Sequence, residues 1–244
     1  MNQVIALLKA HRSIRKFTAE PVPDEVIEEI VRCGQAAATS SNIQTTTVIL
    51  VRDPAKRARL AELSGGQSYV ADAGAFLVFC ADLNRARLAC AMQGAPFDGG
   101  MTERFLSATV DVALAAQNCG VAAESLGLGI CYIGGVRNNP QAVSELLELP
   151  ELVYPVFGMC LGHPDQDPEV KPRLPLSVVL KRERYEDPGS LDGIKQYDRE
   201  LRAYYQTRSG GRKDSSWTEE IRAWAARPRP HMREFLAGRG FTLK

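Results

Sequence analysis

The chain has 244 residues, 45% hydrophobic and 24% charged, with 30 Lys and Arg set against 29 Asp and Glu. This suits a soluble globular protein with a sizeable core, and a net charge near +1 excludes the broad basic field that general nucleic-acid binding requires. Six cysteines without a C-x-x-C pair, and only three histidines, disfavour a disulfide framework or a zinc site, so a cytosolic, metal-free protein is expected.

The opening MNQVIALLKAHR carries a short apolar helix pattern (Val4, Ile5, Leu7, Leu8), too brief for a signal-peptide core. Pro23-Asp24 opens a helix with Val26, Ile27, Ile30 and Val31 at helical spacing. Thr39 to Asn42 reads as a loop and Thr45 to Val51 as a strand. A helix begins at Asp53-Pro54 and ends at Ser64-Gly65-Gly66, and Ala75 to Cys80 is a buried strand. No continuous apolar run exceeds strand size, the longest being Ala75 to Ala81. Met92 to Gly100, rich in Gly and Pro, is expected to be a loop of low order.

Thr102 to Leu126 is an unbroken helical pattern with few charges after Arg104, so most of its circumference should be buried. Its alanines allow close approach of another helix, in the core or across a dimer interface. Gly129 to Ile133 reads as a strand ending in Gly134-Gly135, Pro140 to Leu149 as a short helix and Tyr154 to Leu161 as a strand. Pro164 to Pro175 is proline-punctuated loop. From Ser190 onward, helix patterns are broken at Ser209-Gly210-Gly211 and Arg227-Pro228-Arg229-Pro230. This polar tail is less able to form a core of its own and is expected to wrap over the body or a partner subunit. The chain reads as one domain, 1–244, with 190–244 as a C-terminal helical extension. Interspersed helices and strands predict an α+β sandwich around a central mixed sheet.

Candidate chemistry begins with His11-Arg12-Ser13-Ile14-Arg15-Lys16-Phe17, because forked guanidinium groups beside a hydroxyl suit a phosphate. A solvated basic helix end explains the same residues equally well. Lys171-Pro172-Arg173 is a second, distant basic element. The chain has no G-x-S-x-G elbow, P-loop or H-E-x-x-H motif, and Gly127-Leu128-Gly129 precedes a strand where a dinucleotide fingerprint must follow one. Phosphate-binding candidates without a nucleophile or acid–base set suggest that a bound cofactor carries the chemistry.

Five segments in order resemble the nitroreductase superfamily: His11 to Phe17, Gly65-Gly66-Gln67, Tyr132 to Asn138, Lys171 to Pro175, and Gln196-Tyr197-Asp198 leading to Tyr204-Tyr205. Within it the chain is similar to oxygen-insensitive, NADPH-preferring nitroreductases and flavin reductases. The resemblance implies a homodimer of α+β subunits with FMN at the subunit interface. It also implies hydride passage from NADPH, by way of FMN, to a nitroaromatic, a quinone or free flavin, with no catalytic side chain and no metal.

Carried over by residue, His11, Arg12, Ser13 and Arg15 contact FMN, Lys171 and Arg173 add basic contacts, and Gln67 reaches the ring or ribityl chain. Tyr132, Ile133, Gly134 and Gly135 lie against the ring, where glycine permits close backbone approach. Thr39, Ser40 and Ser41 come from the second subunit, many members having serine where this chain has Thr39. The resemblance also places a reader of the NADPH 2′-phosphate in the C-terminal arm: Arg208, helped by Arg212 and Lys213. Rival readings are a flavin-fragmenting or dehalogenating member of the superfamily, a flavin-binding regulator without turnover, and a module for acidic partners.

Overall fold

The structure, a computed structural model, describes residues 2–187 and 189–244. The chain forms two compact units, one running to Asp167 and completed by Arg229–Lys244, the other Pro168–Pro228.

In the first unit some helices start at a side chain that caps the first turn. Asn2 accepts a hydrogen bond from the Val4 amide at 2.7 Å and opens α1 (Gln3–Lys9). Two acidic residues, Asp24 and Glu25, complement the dipole at the start of α2 (Asp24–Gln35). Asp53 accepts from the Lys56 amide at 2.9 Å and Pro54 occupies the first turn of α3 (Pro54–Leu63). The short α4 (Tyr69–Asp72), α5 (Asn84–Met92), the long α6 (Thr102–Ser125) and α7 (Pro140–Leu146) follow. The sequence reading did not foresee α4 or α5.

Four strands, β1 (Thr46–Val51), β2 (Ala75–Asp82), β3 (Gly129–Ile133) and β4 (Val153–Gly162), form one sheet in the order β1-β2-β4-β3. All three pairings are antiparallel, which corrects the expected mixed sheet while leaving the α+β class intact. The β2 strand is buried along its whole length because both faces are covered. Leu77 and Phe79 pack with Ile27 and Ile30 of α2 and with Ala108, Val112 and Ala116 of α6. Phe76, Val78 and Cys80 face the opposite way, toward Leu60, Val70 and Val143 of α3, α4 and α7.

The α6 helix departs from expectation. Its small residues (Ala108, Ala115, Ala116, Cys119, Gly120, Ala123) face inward, whereas Leu106, Val110 and Leu114 are 50%, 55% and 45% exposed. Small inward residues let α2 close on it: a β-carbon on Gly34 would lie 2.4 Å from Cys119 Sγ. Length and composition alone would allow α6 to cross a membrane, but its buried face lies on the sheet. Met92 ends α5, and the segment from there to Gly100 is a loop that is tied down rather than loose. Phe97 packs on the core, Gly99 and Gly100 are buried, and Gly100 accepts from the Lys244 amide at 3.0 Å.

The second unit holds α8 (Leu176–Val179), α9 (Ser190–Ser209) and α10 (Trp217–Ala225). It has a small core of its own, contrary to expectation, because Tyr197, Leu201, Tyr204 and Tyr205 recur on one face of α9 and pack with Leu174 and Trp217. Ser216 and Glu219 form a reciprocal capping box at the start of α10. The last helix, α11 (His231–Gly238), belongs to the first unit, whose core receives Phe235, Leu236 and Phe241.

Candidate functional site

The basic N-terminal segment lies against the outer strand of the sheet. The Ile14 amide donates to the Ile130 carbonyl at 2.8 Å, Thr18 to His163 at 2.9 Å, and Asp165 to Lys16 at 2.9 Å. Ile14 points inward and is 4% exposed, so Arg12 and Arg15 turn outward. Two of the expected cofactor residues already hold a carboxylate. His11 Nδ1 lies 2.6 Å from Glu124 Oε1 near the end of α6, and Arg12 lies 2.7 Å from Asp167. Arg12, Ile14, Glu124, Gly129, Asp165 and Asp167 line an open cleft of about 690 Å³.

Arg15 stands differently. Its guanidinium stands beside the Tyr69 hydroxyl, and among the described residues it faces no carboxylate within ion-pair distance. Tyr69 in turn donates to Gln67 Oε1, and Gln67 Nε2 donates to the Ser64 carbonyl at 2.6 Å. Burial, with Cys131 nearby, pushes the Tyr69 hydroxyl above the ordinary tyrosine range, and Arg15 pulls against that rise. The turn carrying Gln67 needs positive φ, 90° at Gly65 and 72° at Gly66, which glycine adopts without strain.

Gly135 packs directly under this turn: a β-carbon there would lie 2.3 Å from the Ser64 carbonyl and 2.6 Å from Gln67 Nε2. Gly134 is less confined, with only the Arg137 side chain at 3.4 Å. Arg15, Gln67 and Gly135, far apart in sequence, therefore join one network through Tyr69. The sequence reading missed Tyr69; its only signal was its place two residues beyond Gln67.

Strand alternation divides the remaining β3 residues. Cys131 and Ile133 belong to the core on the α3–α7 side, and Ile130 and Tyr132 to the side of α6. The Tyr132 hydroxyl donates to the Ala116 carbonyl at 2.9 Å and its ring meets Phe157 edge to face at 5.3 Å. Burial pushes that hydroxyl well above the ordinary range. The Ile133 side chain is thus a core group, and the Tyr132 ring packs half-buried on the core. Cys131 and Cys160 pair across β3 and β4, and burial raises both thiols, so neither is an activated nucleophile.

Thr39, Ser40 and Ser41 make no hydrogen bond to these groups among the described residues. The Ser40 amide donates to both oxygens of Asp111, at 3.0 and 3.2 Å, and Thr45 Oγ1 to Asp111 at 3.3 Å. Asp111 is 2% exposed, so α6 pins this loop from within. Ser41, Asn42 and Gln44 have φ of 47°, 55° and 51°, three non-glycine residues in the left-handed region close together. Thr39 lines a separate cavity of about 430 Å³ with Gln35, Ile43, Gln44 and Arg85.

The second unit gathers the other predicted cations around one ring. Lys213 Nζ, Lys171 Nζ and Arg208 Cζ lie 4.0, 5.2 and 5.4 Å from the centre of Tyr205, a tyrosine 5% exposed. Lys171 also donates to the Tyr205 hydroxyl at 3.2 Å. Lys171, expected to act with Arg173, therefore sits with the predicted nucleotide-reading residues. Arg173 folds back on the Lys171 carbonyl at 2.7 Å, and Arg212 on that of Ser209 at 3.0 Å. Sequence reasoning singled out neither Tyr205 as the hub nor Glu220, which pairs with Lys213 at 2.9 Å.

Comparison with known proteins covers the whole chain. The profile described as "Nitroreductase family" matches residues 8–163, and that described as "Nitroreductase family, C-terminal domain" matches 171–244. The NADPH-flavin oxidoreductase of Vibrio harveyi is 46% identical over 245 residues, covering 100% of both chains. The oxygen-insensitive NADPH nitroreductase of Salmonella typhimurium is 42% identical, again over 100% of both. Among solved structures, the NADPH:FMN oxidoreductase from Vibrio harveyi complexed with NAD+ superimposes with a TM-score of 0.89 at 44% identity, covering 98% of each chain.

Proposed function

The chain belongs to the nitroreductase family, and from that premise we propose that it is an FMN-dependent NAD(P)H oxidoreductase acting on nitroaromatics, quinones or free flavin. The observation that carries this reading is the Arg15–Tyr69–Gln67–Ser64 network packed on Gly135. Its residues fit the cofactor chemically. An exposed guanidinium without a carboxylate suits a phosphate, an amide and a hydroxyl suit a polar ring edge or ribityl chain, and the little-confined Gly134 leaves its backbone approachable.

Bound FMN supplies a two-electron carrier between a reduced nicotinamide nucleotide and an oxidant. The protein's residues bind and orient. Arg15 is the principal phosphate cation, with Ser13 beside it. His11 holds the segment through Glu124, and Arg12 can exchange its exposed partner Asp167 for a ligand at small cost. Gln67, fixed by the Ser64 carbonyl and the Tyr69 hydroxyl, presents a pre-oriented amide, and Gly135 packs against the same turn. Lys171 and Arg173 supply further positive charge. Arg208, with Lys213 and Arg212, reads the 2′-phosphate of NADPH. Burial keeps Tyr69 protonated at neutral pH, so it holds its proton toward Gln67 and does not act as a base.

The active form in this reading is a homodimer. The exposed stripe Leu106, Val110 and Leu114 supports a second copy docking on α6, and the Asp111-pinned loop Thr39–Ser41 beside it would reach the partner's cofactor. Residues 1–244 are taken as one nitroreductase-like domain, working in the cytoplasm, with 190–244 as its helical extension.

A visible spectrum tests the function directly. Protein purified with ample riboflavin, or soaked with FMN, is expected to be yellow, to bleach with NADPH under anaerobic conditions, and to recolour on adding menadione. Parallel double-reciprocal plots for NADPH and menadione are expected from alternating substrates. A protein that stays colourless after soaking sinks the proposal; one that binds FMN without bleaching is a regulator instead.

A further inference from the structure

We propose that Glu220 sets this protein's preference between phosphorylated and unphosphorylated nicotinamide nucleotides, by holding Lys213 in competition with the 2′-phosphate. The inference rests on the reading that Arg208 and Lys213 receive that phosphate.

Three cations (Lys171, Arg208 and Lys213) crowd within 5.4 Å of the Tyr205 ring centre. Like charges so close repel, and the ring's negative face offsets only part of that repulsion. Among the described residues one carboxylate pairs with them. Glu220 Oε1 accepts from Lys213 Nζ at 2.9 Å and from Ser215 Oγ at 2.8 Å, and Glu220 also feels the charge of Lys171. The neighbouring acids are engaged elsewhere: Asp214 and Glu219 both pair with Arg202. Three cations against one carboxylate leave two positive charges, the complement of a phosphate monoester, which carries about −1.5 to −2 at neutral pH.

NADP+ brings such a group at its ribose and NAD+ does not. To take it, Lys213 must leave Glu220, or the phosphate must approach a carboxylate. Glu220 therefore opposes the phosphorylated nucleotide selectively. The Lys213 backbone is set for this exchange: its amide is anchored by Ser209 Oγ at 2.7 Å, and Gly210 and Gly211, with φ of 60° and 80°, form the turn just before it. The side chain can swing while the turn stays in place.

The test uses the FMN-loaded protein and calorimetric dissociation constants for NADP+ and NAD+. Glu220→Gln is expected to raise the ratio Kd(NAD+)/Kd(NADP+) about two- to fivefold, the range for a half-exposed ion pair, with the gain shrinking at high salt. Glu220→Asp, which keeps the charge, is expected to hold the wild-type ratio. Arg208→Ala is expected to bring the ratio toward one. An unchanged or lowered ratio in Glu220→Gln, or the same change in Glu220→Asp, overturns the competition while Arg208→Ala still tests the site. A wild-type ratio in Arg208→Ala overturns the 2′-phosphate reading itself, and the inference with it.

Discussion

Arg15 and Arg208 are both exposed guanidinium groups beside a tyrosine, but their supports differ. Arg15 projects from a segment hydrogen-bonded to β3, and its partner Tyr69 is locked through Gln67 to a turn packed on Gly135. Arg208 projects from the last turn of α9, just before two glycines in the left-handed region, and meets its tyrosines only through their ring faces. A cofactor retained through many turnovers gains from fixed contacts, because little ordering entropy remains to be lost on binding. A nucleotide that must leave after each reaction is better served by side chains free to move.

Arg15→Ala breaks the rigid side of this contrast most directly. Losing a charged hydrogen-bonding group costs about 1.5–3 kcal/mol, so FMN affinity, followed by quenching of flavin fluorescence, is expected to fall roughly ten- to hundredfold. Arg12→Ala, whose partner Asp167 is exposed, is expected to change it no more than about fivefold. Equal losses would erase the distinction between the two arginines.

Gly135→Ala attacks the same support without touching a charge. The added methyl meets the Ser64 carbonyl at 2.3 Å, and overpacking of this kind costs about 1–3 kcal/mol. Calorimetry is expected to show Tm lowered by several degrees, with Gly134→Ala near wild type. Tyr69→Phe is milder: it leaves Gln67 Oε1 without its donor and should weaken FMN binding roughly two- to tenfold. Wild-type affinity in that variant would remove Tyr69 from the site.

Acid sharpens the other side. Hydrogen bonds from the Ser216 amide and Arg202 hold Glu219 below its ordinary range, and those from Lys213 and Ser215 do the same for Glu220. A depressed native pKa means that the stabilising contribution is complete above the ordinary glutamate value of about 4.3 and is lost as pH falls through the lower native values. Both tryptophans, Trp217 and Trp224, lie in this unit. Their emission is expected to hold steady from pH 7 to 5 and to shift red below about pH 4. A shift centred near neutrality would contradict the assignment of these carboxylates.

Much of this frame was legible in the sequence because its signals are local. Asp53-Pro54 and Pro23-Asp24 open helices where they stand, and the terminations at Gly65-Gly66 and Gly210-Gly211 follow from backbone freedom at those residues alone. The C-terminal unit misled because overall polarity was weighed above spacing: Tyr197, Leu201, Tyr204 and Tyr205 form a core face despite their charged neighbours. The α6 helix misled in the opposite way, since a count of apolar residues does not tell which of them face inward.

The sequence by itself determined the nature of the candidate groups: paired arginines near a hydroxyl, glycines at a strand end, and a basic arm after a tyrosine-rich helix. Only the tertiary structure decided which of them share a neighbourhood. It turned the Tyr132 ring onto the core, bound His11 to Glu124, joined Arg15 to Gln67 through Tyr69, and drew Lys171 to Arg208 and Lys213 around Tyr205. The physical reason is that residue type and period fix what a side chain can do and which neighbours share its face. Contacts between residues tens of positions apart exist only once the sheet and the helices beside it have closed.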